Sequence, residues 1–230
     1  MMEDDLTSKF LSAAEQGQTG TVDTLIAEGT DVNIKDIKSG STALIKAAQK
    51  GHTDTAAMLI EHGAGVDIKN NYSMTALHYA SWAGYTNTVT MLIDKGADIN
   101  IRGSEGATTL MQAVMHGHTD IAVMLIDKGV DVNAKDNIGW TALATAAVNG
   151  QTITAATLIE YGAEVNAKDN IGWTALMRAA ARGHTDTVAM LIDKGADVNI
   201  KGNNGKTALK LAEETGYQQT ALLIAKYAKE

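Results

Sequence analysis

A short phrase recurs along this chain at a fixed interval. Each copy has a threonine, a leucine two positions later and a glycine nine positions after the threonine. Residues 8–19 fit the same frame one step earlier, at an interval of 34, so seven copies fill the chain. A fixed period in this range predicts a solenoid, in which each repeat covers the apolar face of its neighbour. The threonines recur at an interval of 33 and are Thr42, Thr75, Thr108, Thr141, Thr174 and Thr207.

Each full copy predicts two short helices. Thr42 suits an N-cap, Leu44 and Ala47 fall on the buried side of the first helix, and Gly51 suits the left-handed residue that ends it. Thr53 is expected to cap the second helix in the same way. Helices of about nine residues are marginal alone. Their stability must therefore come from stacking on neighbouring repeats.

Residues 169–199 read DNIGWTALMRAAARGHTDTVAMLIDKGADVN, and this sequence resembles the ankyrin repeat. The resemblance covers residues 8–230. It implies an all-α fold, an ankyrin-repeat solenoid of stacked helix-turn-helix units with projecting β-hairpin fingers. A single repeat domain over residues 8–230 would follow an acidic lead-in over residues 1–7, with polar capping repeats at both ends. The repeats would begin near residues 8, 42, 75, 108, 141, 174 and 207.

Composition narrows the classes of function. A formal net charge of −8 argues against nucleic acid as a partner, because phosphate binding needs clustered Lys and Arg. No stretch approaches the roughly 18 apolar residues of a membrane helix, and the acidic N-terminus lacks a signal-peptide pattern. We therefore expect a soluble, monomeric, cytoplasmic protein, although a removed signal peptide would leave no trace. The chain has no cysteine and no proline, and Ala43 and Thr109 stand where the ankyrin family has proline.

The sequence contains no recognisable catalytic constellation. His52, His118 and His184 follow the turn glycine at one repeat position. Successive copies would lie about 10 Å apart, one helix-packing distance, too far to share a metal held at about 2 Å. The resemblance gives this histidine a structural role within its turn. The glycines form neither a phosphate loop nor a dinucleotide motif, and no serine lies in a nucleophile elbow. We expect no enzymatic activity, no cofactor and no metal site.

Positions that differ between repeats carry the functional prediction. A position that recurs maintains the solenoid, whereas one that varies is available to specify a partner. In ankyrin proteins the partner usually meets the finger tips and the exposed side of the first helix, so we expect a protein or peptide to bind the concave face there. Exposed aromatic, Met and Arg side chains are typical of such interfaces. The candidate partner-binding residues are Tyr72, Met74, Tyr79, Trp82, Met115, Ile138, Trp140, Ile171, Trp173, Arg178 and Arg182.

Three alternatives stay open at this point. Residues 132–143 and 165–176 are both VNAKDNIGWTAL, so Trp140 and Trp173 count as one observation and could serve only to pack neighbouring fingers. The near-identical repeats also fit an engineered or consensus-like scaffold without a natural ligand. A third possibility is an aromatic cage for a cationic tail, built from Tyr72, Tyr79 and Trp82.

Overall fold

The computed structural model describes residues 2–228, with side chains from Leu6 onward. Regular structure in this range is helical, and the extended pairing found there is one isolated antiparallel bridge between Lys35 and Thr42. The described residues fall into two compact units, unit 1 ending at His116 and unit 2 beginning at Gly117. The boundary lies between the two helices of the fourth repeat.

Unit 1 contains the first three helix pairs and the first helix of the fourth repeat. Residues 2–7, expected as a lead-in, form the opening turns of the first helix. The helices of this unit are α1 (Met2–Glu15), α2 (Thr19–Ala27), α3 (Ala43–Gln49), α4 (Thr53–Glu61), α5 (Ala76–Ala83), α6 (Thr86–Asp94) and α7 (Thr109–Met115), with a short 3₁₀ helix at Ser104–Gly106.

Unit 2 continues the same alternation of first and second helices. It begins with the second helix of the fourth repeat and holds the three remaining pairs. Its helices are α8 (Thr119–Asp127), α9 (Ala142–Val148), α10 (Thr152–Glu160), α11 (Ala175–Ala180), α12 (Thr185–Asp193), α13 (Ala208–Glu214) and α14 (Gln218–Ala225).

The repeated threonine caps the first helix of each full repeat, as predicted. Thr108 Oγ1, for example, accepts a hydrogen bond of 3.2 Å from Met111 N, which satisfies one of the open N–H groups at the start of α7. The glycine nine residues later adopts the left-handed conformation, with φ of 74° at Gly51. Glycine tolerates this conformation because it has no Cβ. The same side-chain cap is made by Thr42, Thr75, Thr141, Thr174 and Thr207.

The second helices begin differently from the prediction. His52, not Thr53, is the N-cap of α4, and its side chain makes no capping hydrogen bond. Thr53 is the first helical residue, and its hydroxyl lies 2.7 Å from the hydroxyl of Thr88 in the next repeat. Thr152 and Thr187 form the same kind of pair in unit 2, at 2.8 Å. This threonine therefore links repeats.

Stacking of like helices builds the core of each unit. In unit 1, α3 packs against α1 and α5, while α4 packs against α2 and α6. In unit 2, α11 packs against α9 and α13, and α12 against α10 and α14. The buried residues are mainly the recurring Leu and Ala positions, such as Leu77 and Ala80 in α5. Small alanines let neighbouring helices approach closely, which is why these positions recur.

Asparagine side chains join successive repeats in the segments that follow the second helices. Asn33 accepts from Gly65 N at 2.8 Å and donates to Gly63 O at 3.3 Å. Asn133 makes the equivalent pair in unit 2, donating to Gly162 O at 3.0 Å and accepting from Glu164 N at 2.8 Å. Each such amide therefore satisfies two backbone groups of the following repeat.

The fingers are tight turns rather than β-hairpins with strands. Gly139 N donates to Asp136 O at 3.0 Å, which makes a β-turn, and Asp136 N donates to Trp140 O at 3.0 Å to close the finger. Neighbouring fingers are joined by single backbone bonds, such as the 3.1 Å bond from Asn170 N to Ile138 O. Each finger is too short to extend this pairing into a ladder.

Candidate functional site

An arginine is stacked between two finger tryptophans in unit 2. The guanidinium carbon of Arg178, on α11, lies 4.4 Å from the ring centroid of Trp140 and 4.7 Å from that of Trp173. Both distances are in the range of cation–π contacts. The Arg178 side chain is only 15% exposed. The structure thus brings together three of the residues that the sequence singled out.

Asp169 fixes this arginine and the finger beneath it. Its carboxylate accepts from Ile171 N at 3.0 Å, from Trp173 N at 2.8 Å and from Arg178 Nε at 3.1 Å, with a further short contact to the second guanidinium nitrogen. The Asp169 side chain is 2% exposed. Arg178 was expected to contact a partner, but its guanidinium is already paired with Asp169 inside the protein.

The preceding finger has the same turn without the arginine. Asp136 accepts from Ile138 N at 3.0 Å and from Trp140 N at 2.8 Å. Thr145 holds the place of Arg178 one repeat earlier, and its hydroxyl bonds to Thr141 O of its own helix. Arg178 therefore contacts one ring face of Trp140 and one of Trp173. These contacts fit the alternative in which the two tryptophans pack neighbouring fingers together.

The tips above the tryptophans expose two isoleucines. Ile138 is 52% exposed and Ile171 is 49% exposed, at equivalent positions of adjacent fingers. The backbone around them is ordered by an asparagine side chain, because Asn170 Nδ2 donates to Asn137 O at 3.0 Å. Arg182, also predicted as a contact residue, is exposed near the end of the first-helix turn. Because the backbone of these tips is already held by hydrogen bonds, a partner that binds the isoleucines would not lose free energy to ordering it.

Unit 1 places a second group of aromatic residues on its first-helix side. The Trp82 ring meets the His116 ring edge-on, with centroids 4.9 Å apart and an interplanar angle of 83°. Met115 and Tyr72 are exposed, and Tyr79 is half-buried.

The polar tip of Tyr79 is occupied within the protein. Asn70 Nδ2 donates to the Tyr79 hydroxyl at 3.0 Å, while Asn70 Oδ1 accepts from Tyr72 N at 2.9 Å. Asn70 therefore plays the part in this finger that Asp169 plays in unit 2. Neither residue was singled out from the sequence. The pairing of Asp169 with an arginine nine residues later was the signal that could have found it.

Met74 does not belong to the exposed surface. Its side chain is 8% exposed, and its sulfur lies against Gly103 of the next finger, with no room between them for a side chain on the glycine. Met74 was expected among the exposed contact residues, but the structure buries it. Its position in the finger is the one occupied by Trp140 and Trp173, but here the side chain fills an internal gap.

The histidines after the turn glycine connect repeats. His52 Nε2 lies 3.1 Å from Glu15 O, and His184 Nε2 lies 3.0 Å from Val148 O. In both cases the carbonyl belongs to the preceding repeat, not to the histidine's own turn as the resemblance implied. Among the described residues, no group of three or more His, Asp or Glu side chains is arranged to hold a metal ion. None of the helices within residues 2–228 is long and apolar enough to cross a membrane.

Comparison with known protein families now identifies the architecture. A sequence model described as ankyrin repeats matches three times, over residues 10–103, 101–169 and 157–230. The chain belongs to the ankyrin-repeat family. Ankyrin repeats are generally protein-interaction modules, and the family is typically non-enzymatic.

A solved ankyrin structure is similar over almost the whole chain. The ankyrin repeat domain of human ASB11 superposes with a TM-score of 0.84 and 28% sequence identity, covering 94% of this chain and 96% of that one. In all, 651 chains of solved structures match significantly. A search of curated protein sequences returned no significant match. A fold shared with so many solved chains does not itself select a partner.

Proposed function

We propose that this ankyrin-repeat protein binds a partner protein or peptide, without catalysis, through its finger tips and the exposed sides of its first helices. The observation that carries the proposal is the pair of exposed isoleucines, Ile138 and Ile171, mounted side by side on ordered fingers. The core of the repeat does not use these side chains. The equivalent tip positions in other fingers are Tyr72, Glu105 and Asn204.

The chemistry of this surface favours an apolar segment of a protein over a charged ligand. Two of its basic side chains are paired within the chain, Arg178 with Asp169 and Lys206 with Glu214, and Arg182 is exposed beside them. Salt-dependent phosphate binding requires Lys and Arg that are free to displace counterions, so these pairs also speak against nucleic acid. The one cation–π slot described in unit 2 is filled by Arg178. An incoming cation would have to displace it.

The first-helix side of unit 1 supplies a second apolar contact area. Trp82 and Met115 are exposed there, with His116 against the Trp82 ring. The Trp82 ring is large and has only two side-chain torsions, so it buries much area and loses little conformational entropy on binding.

A selection experiment tests the proposal. A displayed peptide library is panned on the immobilised protein, and the selected peptides are measured against the Ile138→Asp/Ile171→Asp double variant. We expect the double variant to weaken binding by at least about 30-fold, which is about 2 kcal/mol. The matched control is Ile153→Asp on α10, where the isoleucine is 78% exposed but lies on a second helix. Changing Trp140 or Trp173 would be a poorer test, because it would also break the stack on Arg178.

Two outcomes would contradict the proposal. Selected peptides that bind the double variant as tightly as the wild type would remove the tips from the binding surface. Peptides lost equally from the Ile153→Asp control would show that added negative charge, not loss of the tip contact, is responsible.

A further inference from the structure

A basic residue recurs immediately before the fingers. In a chain whose formal net charge is −8, a repeat position that is positive every time runs against the general charge. All six residues at this position are exposed, namely Lys35, Lys69, Arg102, Lys135, Lys168 and Lys201. The last two, Lys168 and Lys201, both belong to unit 2 and form what we call the lysine pair.

Earlier lysines of this row bond to the backbone of the next repeat. Lys69 Nζ donates to Arg102 O at 3.1 Å. In unit 2, Lys135 Nζ donates to Lys168 O at 2.8 Å. Each of these ammonium groups therefore points toward the basic residue that follows it in the row, and a role in linking repeats accounts for its position.

The lysine pair has no such role. Within the part of the chain whose side chains are described, neither ammonium group makes a hydrogen bond or lies within ion-pair distance of a carboxylate. Asp169, which follows Lys168, turns inward and is paired with Arg178. Gly202 follows Lys201 and brings no charge. Both lysines therefore present positive charges to solvent that their neighbours do not compensate.

The lysine pair lies close to the exposed tip at Ile171. Lys168 precedes Ile171 by three positions in the same finger, which is at most about 11 Å of chain. Lys201 precedes Asn203 by two positions, and Asn203 N donates to Ile171 O at 2.9 Å. The exposed isoleucine thus has one uncompensated positive charge on its own finger and another on the next.

We infer that the segment bound at the finger tips of unit 2 is acidic as well as apolar, with carboxylates that meet Lys168 and Lys201. This inference rests on the proposed function and names the chemistry of its partner. Opposite charges across an interface speed association and fix the register of the bound segment, while apolar contact at Ile171 supplies buried area. A protein of net charge −8 repels an acidic segment elsewhere, so the lysine pair also selects where the segment binds.

The spacing of the two charges favours an acidic protein segment over nucleic acid. Successive repeats lie about 10 Å apart, one helix-packing distance, whereas phosphates along one strand of a DNA duplex follow each other at about 3.4 Å. The phosphates between the two lysines would face an acidic protein. An extended peptide advances by about 3.3 Å per residue. Carboxylates three positions apart therefore match the lysine pair, and the residues between them can be apolar.

Peptide selection on two forms of the protein tests the inference. A displayed random library is panned on the immobilised wild type and on Lys168→Gln/Lys201→Gln, and the selected peptides are sequenced. Peptides selected on the wild type should be enriched in Asp and Glu three positions apart beside apolar residues, and the variant should lose this enrichment. The matched control is Lys128→Gln/Lys194→Gln, which removes two charges at the ends of second helices in the same unit. It should select the same acidic peptides as the wild type.

Affinity measured as a function of salt provides a second readout. For a peptide selected on the wild type, Lys168→Gln/Lys201→Gln should weaken binding by about 10-fold at low ionic strength, because two exposed ion pairs are lost. The difference should disappear near 1 M salt, where the screening length is about 3 Å. Melting of the variant should match that of the wild type, since the lysine pair makes no contact that the fold uses. A DNA duplex should not compete with the peptide.

Each failure has a distinct meaning. Selected peptides without acidic enrichment that still depend on Ile138 and Ile171 would overturn the acidic partner and leave the proposed function standing. Acidic peptides that bind the lysine variant as tightly as the wild type would overturn the role of the lysine pair. A DNA duplex that competes with the peptides, and that binds the lysine variant more weakly, would assign the pair to nucleic acid. Acidic peptides that need the lysines but not the isoleucines would contradict the proposed tip contact instead.

Discussion

His78 is a titratable side chain that the fold removes entirely from water. It lies in the first turn of α5, where its Nδ1 is 2.8 Å from Thr75 Oγ1 and 3.4 Å from Thr75 N. Burial lowers the pKa of His78 to about 4, and the nearby positive charge of Lys69 adds to the effect. The folded protein therefore holds the neutral imidazole, whereas the unfolded chain takes up a proton near pH 6.5.

This difference predicts acid sensitivity. Because the pKa is lower in the folded state, the stabilisation is fully present above about pH 6.5 and is lost as the pH falls toward about 4. The free energy of unfolding should fall over this window by at most roughly 3 kcal/mol from this residue, measured by urea unfolding at a series of pH values. His78→Met should flatten this part of the profile, since Met111 and Met177 occupy the equivalent position in other repeats. An unchanged slope in that variant would assign the sensitivity to other groups.

Single residues were predictable from the sequence where one local interaction decides their role. The threonine caps and Gly51 follow from backbone groups that every helix end leaves open, so sequence spacing sufficed. Met74 and Arg178 depended on neighbours in space. Met74 fills a gap beside Gly103, and Arg178 is held by Asp169 from the finger below. A residue that differs from repeat to repeat can thus make its contacts inside the protein and not with a partner.

At the scale of the helix, α7 begins with adjacent threonines that have opposite effects. Thr108 caps the helix, whereas Thr109 is fully buried and its hydroxyl has no hydrogen-bond partner among the described residues. Thr109→Val keeps the shape and removes the unpaired hydroxyl, so it should stabilise the protein by about 1 kcal/mol. Thr108→Val should destabilise it by about 1 kcal/mol through loss of the cap. Thermal and urea melts of the two variants should therefore shift in opposite directions, and a loss of stability in both would refute the assignment for Thr109.

The repeat pattern predicted the type and place of each helix and turn better than it predicted their caps and hydrogen bonds. Helices and turns fell where the Thr, Leu and Gly positions placed them. The finger strands did not form, because a finger such as residues 136–140 makes two backbone hydrogen bonds within itself and one to its neighbour. The spacing of the repeated residues predicts where the chain reverses direction. The number of paired residues depends instead on how many backbone groups of the next finger lie within hydrogen-bond distance.

At the scale of the whole molecule, stability depends on how strongly each repeat is coupled to the next. Asp67 is a weak coupling point in unit 1. Its carboxylate accepts from Asp98 N at 3.1 Å, but it has no N–H to donate, whereas Asn33 and Asn133 at the equivalent position both donate and accept. Asp67→Asn should supply the missing bond and raise the free energy of unfolding by about 1 kcal/mol. Hydrogen exchange should slow in the helices on both sides.

The chain offers a mirror-image control for this change. Asn33→Asp removes the donor that bonds to Gly63 O and should lower stability by a similar amount. If Asp67→Asn lowers stability, or if Asn33→Asp leaves it unaltered, the hydrogen bond donated by the amide NH₂ group contributes nothing to the free energy of unfolding.

The arrangement as a stack of repeats could be predicted from the fixed repeat period alone, because repetition determines which surfaces must be apolar. The exposure of the proposed contact residues could be predicted only in part. Ile138 and Ile171 are exposed as variable positions should be, but the tryptophans below them face Arg178 as well as solvent. Variation along the sequence does not separate side chains that meet a partner from those that meet each other.

The hydrogen bonds that join repeats also bear on how the chain folds during its synthesis. The bond from Asn133 to Gly162 O spans 29 positions and the contact of His52 with Glu15 O spans 37. Each new repeat emerging from a ribosome therefore finds its partner already synthesised just ahead of it. Such short-range pairing favours rapid folding in the order of synthesis. Growth can proceed one repeat at a time, with each finished repeat serving as the template for the next.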